Sequence, residues 1–281
     1  MTHGRRKLLL PGPLALLSLF ALTAGCRTRA EAAPPREKLT LRLRGVDVSA
    51  DLARIGSERV TVDDPHEHRA LELVGVPVTR LFDAAVGPSW RTLDDVVATC
   101  ADGFHPSMPV RLFLDHEGYL AFARTDDHDF YVDEQGKRTA AGPYYLVWKR
   151  TPGDAPPEPA WPYQVTGLEI TDFATRFSAA LPPAGASPRA REGFERFRTY
   201  CLPCHSVNGA GGQVGPELNY PTSVTEYFAE PVLRAWITDP AQVRWNARMP
   251  VPLPAEGRAQ NLDAIVAYLQ AMAGAKRAPA P

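Results

Sequence analysis

The sequence predicts two folded parts of different class: an α+β domain with a mixed sheet over residues 38–180, and an all-α domain over residues 189–275. Short runs rich in β-branched and aromatic residues recur through the first stretch, whereas apolar residues near the C-terminus repeat with helical period. A proline-rich segment at 181–188, Leu-Pro-Pro-Ala-Gly-Ala-Ser-Pro, separates the two textures as a linker. The length of 281 residues accommodates two domains of ordinary size, roughly 100–200 residues each.

Composition narrows the function classes. With 44% hydrophobic and 22% charged residues, the chain is neither wholly disordered nor a polytopic membrane protein. The 31 basic and 32 acidic side chains leave a net charge of −1, which lacks the basic footprint of a nucleic-acid binder. No nucleic-acid partner is therefore expected. Prolines number 28, about twice the usual share of roughly 5%, and they mark loops and boundaries.

The N-terminus reads as a targeting segment. Arg5, Arg6 and Lys7 precede an apolar run from Leu8 to Ala24 that Pro11 and Pro13 interrupt. The run is shorter than the roughly 20 apolar residues a comfortable membrane span requires. It ends in Leu22-Thr23-Ala24-Gly25-Cys26, which resembles a bacterial lipoprotein signal. That resemblance implies a signal peptide over 1–25, lipidation of Cys26, and a flexible tether over 26–37. The mature chain then belongs to the cell envelope, on the periplasmic side, lipid-anchored to a membrane. Secretory cleavage near Ala30-Glu31-Ala32 and retention as an uncleaved anchor are the competing readings.

Strands are expected at Leu39–Leu43, Arg59–Val62, Ala70–Val74, Asp95–Cys100, Val110–Leu114 and Tyr144–Trp148, with a helix at Val78–Ala85. Residues 152–162 contain five prolines and read as a long loop, because alternation resumes from Tyr163 to Ile170. After the linker, Arg189 to Tyr200 reads as a helix with Phe194, Phe197 and Tyr200 on one face. A last helix carries Leu262, Ile265, Val266, Leu269 and Met272, with Gly274 as its stop.

The first of these helices delivers the chain into Cys201-Leu202-Pro203-Cys204-His205, a C-x-x-C-H motif. This is the attachment signature of c-type haem: two thiols add to two porphyrin vinyl groups, and the adjoining histidine is placed as an axial iron ligand. A zinc site would need a second Cys/His pair, and residues 206–281 contain neither type. A thioredoxin-like motif would need a βαβ setting, which is missing here. The expected cofactor is one covalent haem c. For the sixth ligand only Met249 and Met272 follow the motif. Met272 belongs to the apolar stripe of the last helix, so Met249, in the extended Arg248-Met249-Pro250-Val251-Pro252, is the expected iron ligand.

In order, Gly193-Phe194, the Cys201–His205 motif, Gly215-Pro216-Glu217-Leu218, Met249-Pro250 and Tyr268-Leu269 resemble a class I cytochrome c domain. The resemblance implies crossed terminal helices, His/Met ligation by His205 and Met249, and electron transfer. It further implies that the Pro216 carbonyl accepts a hydrogen bond from His205 and fixes its tautomer. Methionine ligation raises the reduction potential in such domains.

The first domain is similar in parts to the molybdopterin-binding fold of sulfite oxidases. Gly75-Val76-Pro77-Val78, Cys100-Ala101-Asp102-Gly103-Phe104 and Gly142-Pro143-Tyr144-Tyr145-Leu146-Val147 carry the likeness. That family takes a metal-binding cysteine from upstream of the Gly-x-Pro segment, and residues 38–74 contain none. A cofactor-free domain is therefore expected, with Cys100 a buried strand residue. His66, His68, His116 and His128 stand in acidic loops and read as solvated.

These features together describe a membrane-tethered monohaem c-type cytochrome. Its expected partners are a redox protein or membrane electron-transfer complex and, through the lipid, the membrane. The alternative is a cytochrome-fused oxidoreductase that oxidises a small substrate such as sulfite.

Overall fold

The computed structural model describes residue 1 and residues 39–279 apart from 127–128, 135, 152 and 154–160. The expected signal peptide beyond Met1, the whole of the tether with Cys26, and most of the five-proline loop lie outside the described residues. Among those described, no helix is long and apolar enough to cross a membrane. Residues 39–279 belong to one compact unit.

Two sheets fill the first half. One has the order β2-β1-β11-β5-β6, made of β1 (Thr40–Leu43), β2 (Val46–Val48), β5 (Asp95–Cys100), β6 (Ser107–Pro109) and β11 (Val165–Thr171). The other runs β10-β7-β4-β3, from β3 (Glu58–Asp64), β4 (Arg69–Pro77), β7 (Gly118–Arg124) and β10 (Tyr145–Trp148). A separate hairpin joins β8 (Tyr131–Glu134) to β9 (Lys137–Ala140). The β1–β11 pair is parallel and the other ladders are antiparallel, so the large sheet is mixed, as expected.

Between the sheets lies an apolar core with an aromatic chain through it. Phe82 meets Trp90 at 5.2 Å and Phe113 at 5.9 Å, and Phe113 meets Trp148 at 5.0 Å between ring centroids. A short helix, α1 (Leu52–Ile55), precedes β3, and α2 (Val78–Val86) buries Val78, Leu81 and Phe82, the face its periodicity marks. The Trp90 indole donates to Asp83 at 2.8 Å, satisfying the polar end of a fully buried ring.

One expected strand is a helix. Val110–Leu114 lies in α3 (Val110–Asp115), which follows Pro109 and buries Val110 and Phe113 three residues apart on one face. A five-residue apolar run satisfies both periods, and here the core selects the helical one. The neighbouring strand β7, buried on both faces, has no clear alternation in sequence and was not among the expected strands.

The second half is helical. After the short α4 (Phe173–Arg176), α5 (Pro188–Tyr200) begins with Pro188 in its first turn, and the Ser187 hydroxyl accepts from the Ala190 amide at 3.1 Å. Three shorter helices follow, α6 (Val224–Tyr227), α7 (Glu230–Thr238) and α8 (Pro240–Val243), then α9 (Arg258–Ala273). A second core gathers Phe194 and Phe197 from α5 and Ile265, Tyr268, Leu269 and Met272 from α9, and takes in Phe173, Phe177 and Ala180 from before the proline-rich stretch.

Helices α5 and α9 touch backbone to backbone at Gly193. A Cβ there would stand 1.8 Å from the Ala264 carbonyl oxygen. Tyr268 then packs on Phe197 at 4.9 Å and Phe194 at 5.5 Å, and its hydroxyl donates to the Ala180 carbonyl at 2.6 Å. Because the obstructing atom is backbone, relief requires the helices to separate. Gly193→Ala should destabilise the C-terminal domain by at least about 3 kcal/mol, beyond ordinary overpacking. Thermal unfolding followed by far-ultraviolet circular dichroism checks this; an unchanged midpoint would refute the crossing.

Candidate cofactor site

The C-x-x-C-H motif forms a tight turn on the end of α5. The Leu202 amide donates to the Phe197 carbonyl at 2.8 Å, and the Cys204 and His205 amides both donate to the Cys201 carbonyl, at 3.0 and 2.8 Å. The chain then reverses through two-residue strands β12 (Ser206–Val207) and β13 (Ala210–Gly211). It returns beneath the motif, where the Gly212 amide donates to the Leu202 carbonyl at 2.9 Å and the Gly215 amide to the Cys204 carbonyl at 2.8 Å. This double-backed loop holds His205.

Gly215 makes room for the imidazole. A Cβ there would lie 2.3 Å from His205 Cε1, inside the ring's van der Waals envelope. His205 Nδ1 stands 2.8 Å from the Pro216 carbonyl oxygen. A carbonyl only accepts, so Nδ1 carries the proton and Nε2 keeps its lone pair. Burial lowers the pKa of His205, outweighing the opposite pulls of the Pro216 carbonyl and Glu217. The ring is neutral at pH 7 and able to bind a metal through Nε2.

Cys201, Cys204, His205, Pro216 and Met249 all line one cavity of about 470 Å³. Its walls are apolar, built from Phe197, Leu233, Ile237, Ile265 and Leu269, while Trp236, Arg244 and Arg248 add polar groups. That volume lies within the range of cofactor clefts, roughly 300–1,000 Å³. Burial pushes both thiols up, that of Cys201 to about 12, so both are protonated at neutral pH. The residues fit a porphyrin: two thiols beside a neutral imidazole, a thioether sulfur on the same cavity, apolar walls, and two guanidinium groups to pair with carboxylates.

Met272 is 1% exposed in the α9 core, and its carbonyl accepts from Asn219 at 2.8 Å; it does not line the cavity. Met249 reaches the cavity from irregular backbone between α8 and α9.

Sequence reasoning missed two groups here. Arg244 and Arg248 line the cavity, and their spacing of four residues just ahead of Met249 was the available signal. Beneath the motif, Glu217 accepts backbone hydrogen bonds from Asn208, Gly209, Asn219 and Tyr220 at 2.7–3.1 Å. Asn208 and Asn219 then tie this turn to α9 and the C-terminal residues, Asn208 donating to the Ala275 carbonyl at 3.0 Å. No sequence periodicity marks such a network.

Residues 190–273 match the family model of cytochrome c. The C-terminal part of the chain is thus a cytochrome c domain, and it carries covalently bound haem c. No curated protein matches the chain.

The other candidates lie apart. Cys100 is buried at the end of β5, its thiol raised by burial and by Asp102. His66 is half-buried beside the Tyr145 and Tyr163 rings, and His68 is exposed. Among the described residues, no three His, Cys, Asp or Glu side chains group as a metal site.

Burial raises the Glu217 carboxyl pKa, but the Gly209, Asn219 and Asn208 amides and the Ser206 hydroxyl outweigh it and hold the group below the usual range. A depressed folded pKa contributes stability above the unfolded value, roughly 4.3, and that contribution is lost as pH falls through the folded value. Glu217→Gln should therefore flatten the acid limb of the stability–pH curve below about pH 5. Urea unfolding at pH 3–7 measures it; parallel curves for the two proteins would contradict the assignment.

Proposed function

We propose that this protein is a monohaem c-type cytochrome of the bacterial periplasm, tethered to a membrane by lipid on Cys26, that passes single electrons to and from a redox partner. The observation that carries the reading is the convergence of Cys201, Cys204, His205 and Met249 on one apolar cavity. Bound haem c supplies a one-electron iron couple. The chain's own residues hold and tune it. Cys201 and Cys204 supply the two thioether sulfurs. His205 Nε2 would bind the iron, the ring being oriented by its Nδ1 proton on the Pro216 carbonyl. Met249 would offer a thioether sulfur to the iron, from a loop that does not sacrifice a helix core position. The apolar walls exclude water, and electron transfer asks for no proton donor or nucleophile beyond these.

We read the N-terminal domain as a cofactor-free scaffold, because residues 38–74 contain no cysteine to supply the upstream thiolate that a sulfite-oxidase-like centre would use. Cys100, buried and protonated, does not replace it. Metal analysis of the mature protein should return iron without stoichiometric molybdenum; one molybdenum per chain would restore the oxidoreductase reading.

After denaturing electrophoresis the protein should keep its haem and stain for peroxidase activity, and Cys201→Ser/Cys204→Ser should abolish the stain. A wild-type band without stain would end the proposal.

The two methionines separate ligation from packing. Met249→Ala should remove the weak ferric charge-transfer band, lower the reduction potential and admit imidazole. Met272→Ala should leave the spectrum intact and cost about 2–5 kcal/mol as a core truncation. The reverse pattern would exchange their roles.

A further inference from the structure

The hairpin formed by β5 and β6, at the edge of the N-terminal sheet, meets the haem-attachment loop at points before, within and after the C-x-x-C-H motif. Before it, Arg198 in the last turn of α5 places Nη2 2.5 Å from Asp95 Oδ2 at the start of β5. The Arg198 guanidinium also lies 3.7 Å from the centre of the Phe173 ring. The Asp95 side chain is 2% exposed, and the Ser107 hydroxyl of β6 donates to the same oxygen. Within the motif, the Pro203 carbonyl accepts from the His105 amide at 2.8 Å. After it, the Gln213 amide donates to the Gly103 carbonyl at 2.8 Å, and the His105 side chain hydrogen-bonds the Gly211 backbone. Val97 of β5 is buried in the core of the C-terminal part rather than in that of its own sheets.

We propose that the β5–β6 hairpin is a clamp that positions the His205 loop, so that the N-terminal domain helps set the reduction potential of the haem. Asp95, Arg198 and His105 are its positioning residues. The physical basis is that the Asp95 carboxylate is buried while Arg198 stays partly exposed, so the carboxylate needs the guanidinium and the Ser107 hydroxyl in place to offset its desolvation. Backbone hydrogen bonds on both arms of the loop, at Pro203 and Gln213, then prevent it from opening. A held loop fixes the imidazole on the Pro216 carbonyl and keeps water from the Cys204 side. Solvent access and ligand orientation are two of the levers by which a protein tunes such a centre. Released, the loop admits water, which favours the more highly charged ferric state and lowers the potential.

The proposal rests on the haem reading above, and its test separates the two. In the full-length mature protein, Arg198→Met removes the ion pair and His105→Pro removes the amide donated to Pro203. Val62→Ala, a core truncation on β3 of the other sheet, controls for loss of stability alone. Haem stain, reduction potential and amide hydrogen exchange are read on each. Both clamp variants should keep the stain, lower the potential, and exchange the amides of residues 202–215 at least ten-fold faster than wild type. Arg198→Lys, which keeps the charge, should recover most of the potential. Val62→Ala should leave the potential at the wild-type value. Wild-type potential and exchange in both clamp variants, or the same potential shift in Val62→Ala, would overturn the clamp. Absence of stain in the unsubstituted protein would overturn the haem reading instead.

Discussion

Helices α5 and α9 cross with only Gly193 between them, and the close approach governs everything that follows in the C-terminal domain. It brings Tyr268 onto Phe194 and Phe197 and directs the tyrosine hydroxyl to the Ala180 carbonyl, which closes one end of the core. It also fixes where α5 ends, hence where Cys201 begins its turn. The cavity wall formed by Phe197, Ile265 and Leu269 comes from these same two helices. A wider crossing would shift both the wall and the attachment loop, because interiors packed at crystal-like density transmit displacements rather than absorb them.

Inside that frame the chemistry depends on small backbone details. The imidazole fits because position 215 has no side chain, and its tautomer follows from a single carbonyl at Pro216. Glu217, next in sequence, gathers four amides from the reversing chain and ties the loop to itself. A cofactor with an extended apolar surface needs walls that do not collapse, and these bonds hold the walls in place without contributing a reactive group.

Much of this was legible in sequence where one residue type in one spacing has few uses. The Cys201–His205 motif, the stripe containing Met272, and the β5 and α2 segments each combine a clear period or spacing with a clear terminator. The alternation from Tyr163 onward likewise marked β11, the partner of β1. What escaped was set by tertiary context. Val110–Leu114 satisfies a strand pattern and a helix pattern equally, and the contact of Phe113 with Phe82 and Trp148 decides between them. Strand β7 is buried on both faces and so shows no alternation. Only a four-residue spacing ahead of Met249 points to Arg244 and Arg248, and the Asp95–Arg198 pair joins residues 103 positions apart, beyond the reach of any local signal.

The parallel pairing of β1 with β11 carries a consequence for the order in which the chain can fold. Thr40 lies opposite Gly167, so the first strand of the large sheet has no partner along its β11 edge until more than a hundred further residues have been made. Contacts this distant are closed late, because the entropy of the intervening loop must be overcome first. The cysteines of the haem motif follow the end of β11 by only about thirty positions. The segment that completes the sheet and the segment that carries the attachment loop therefore lie close together along the chain, so both halves of the molecule depend on the same late stretch of sequence.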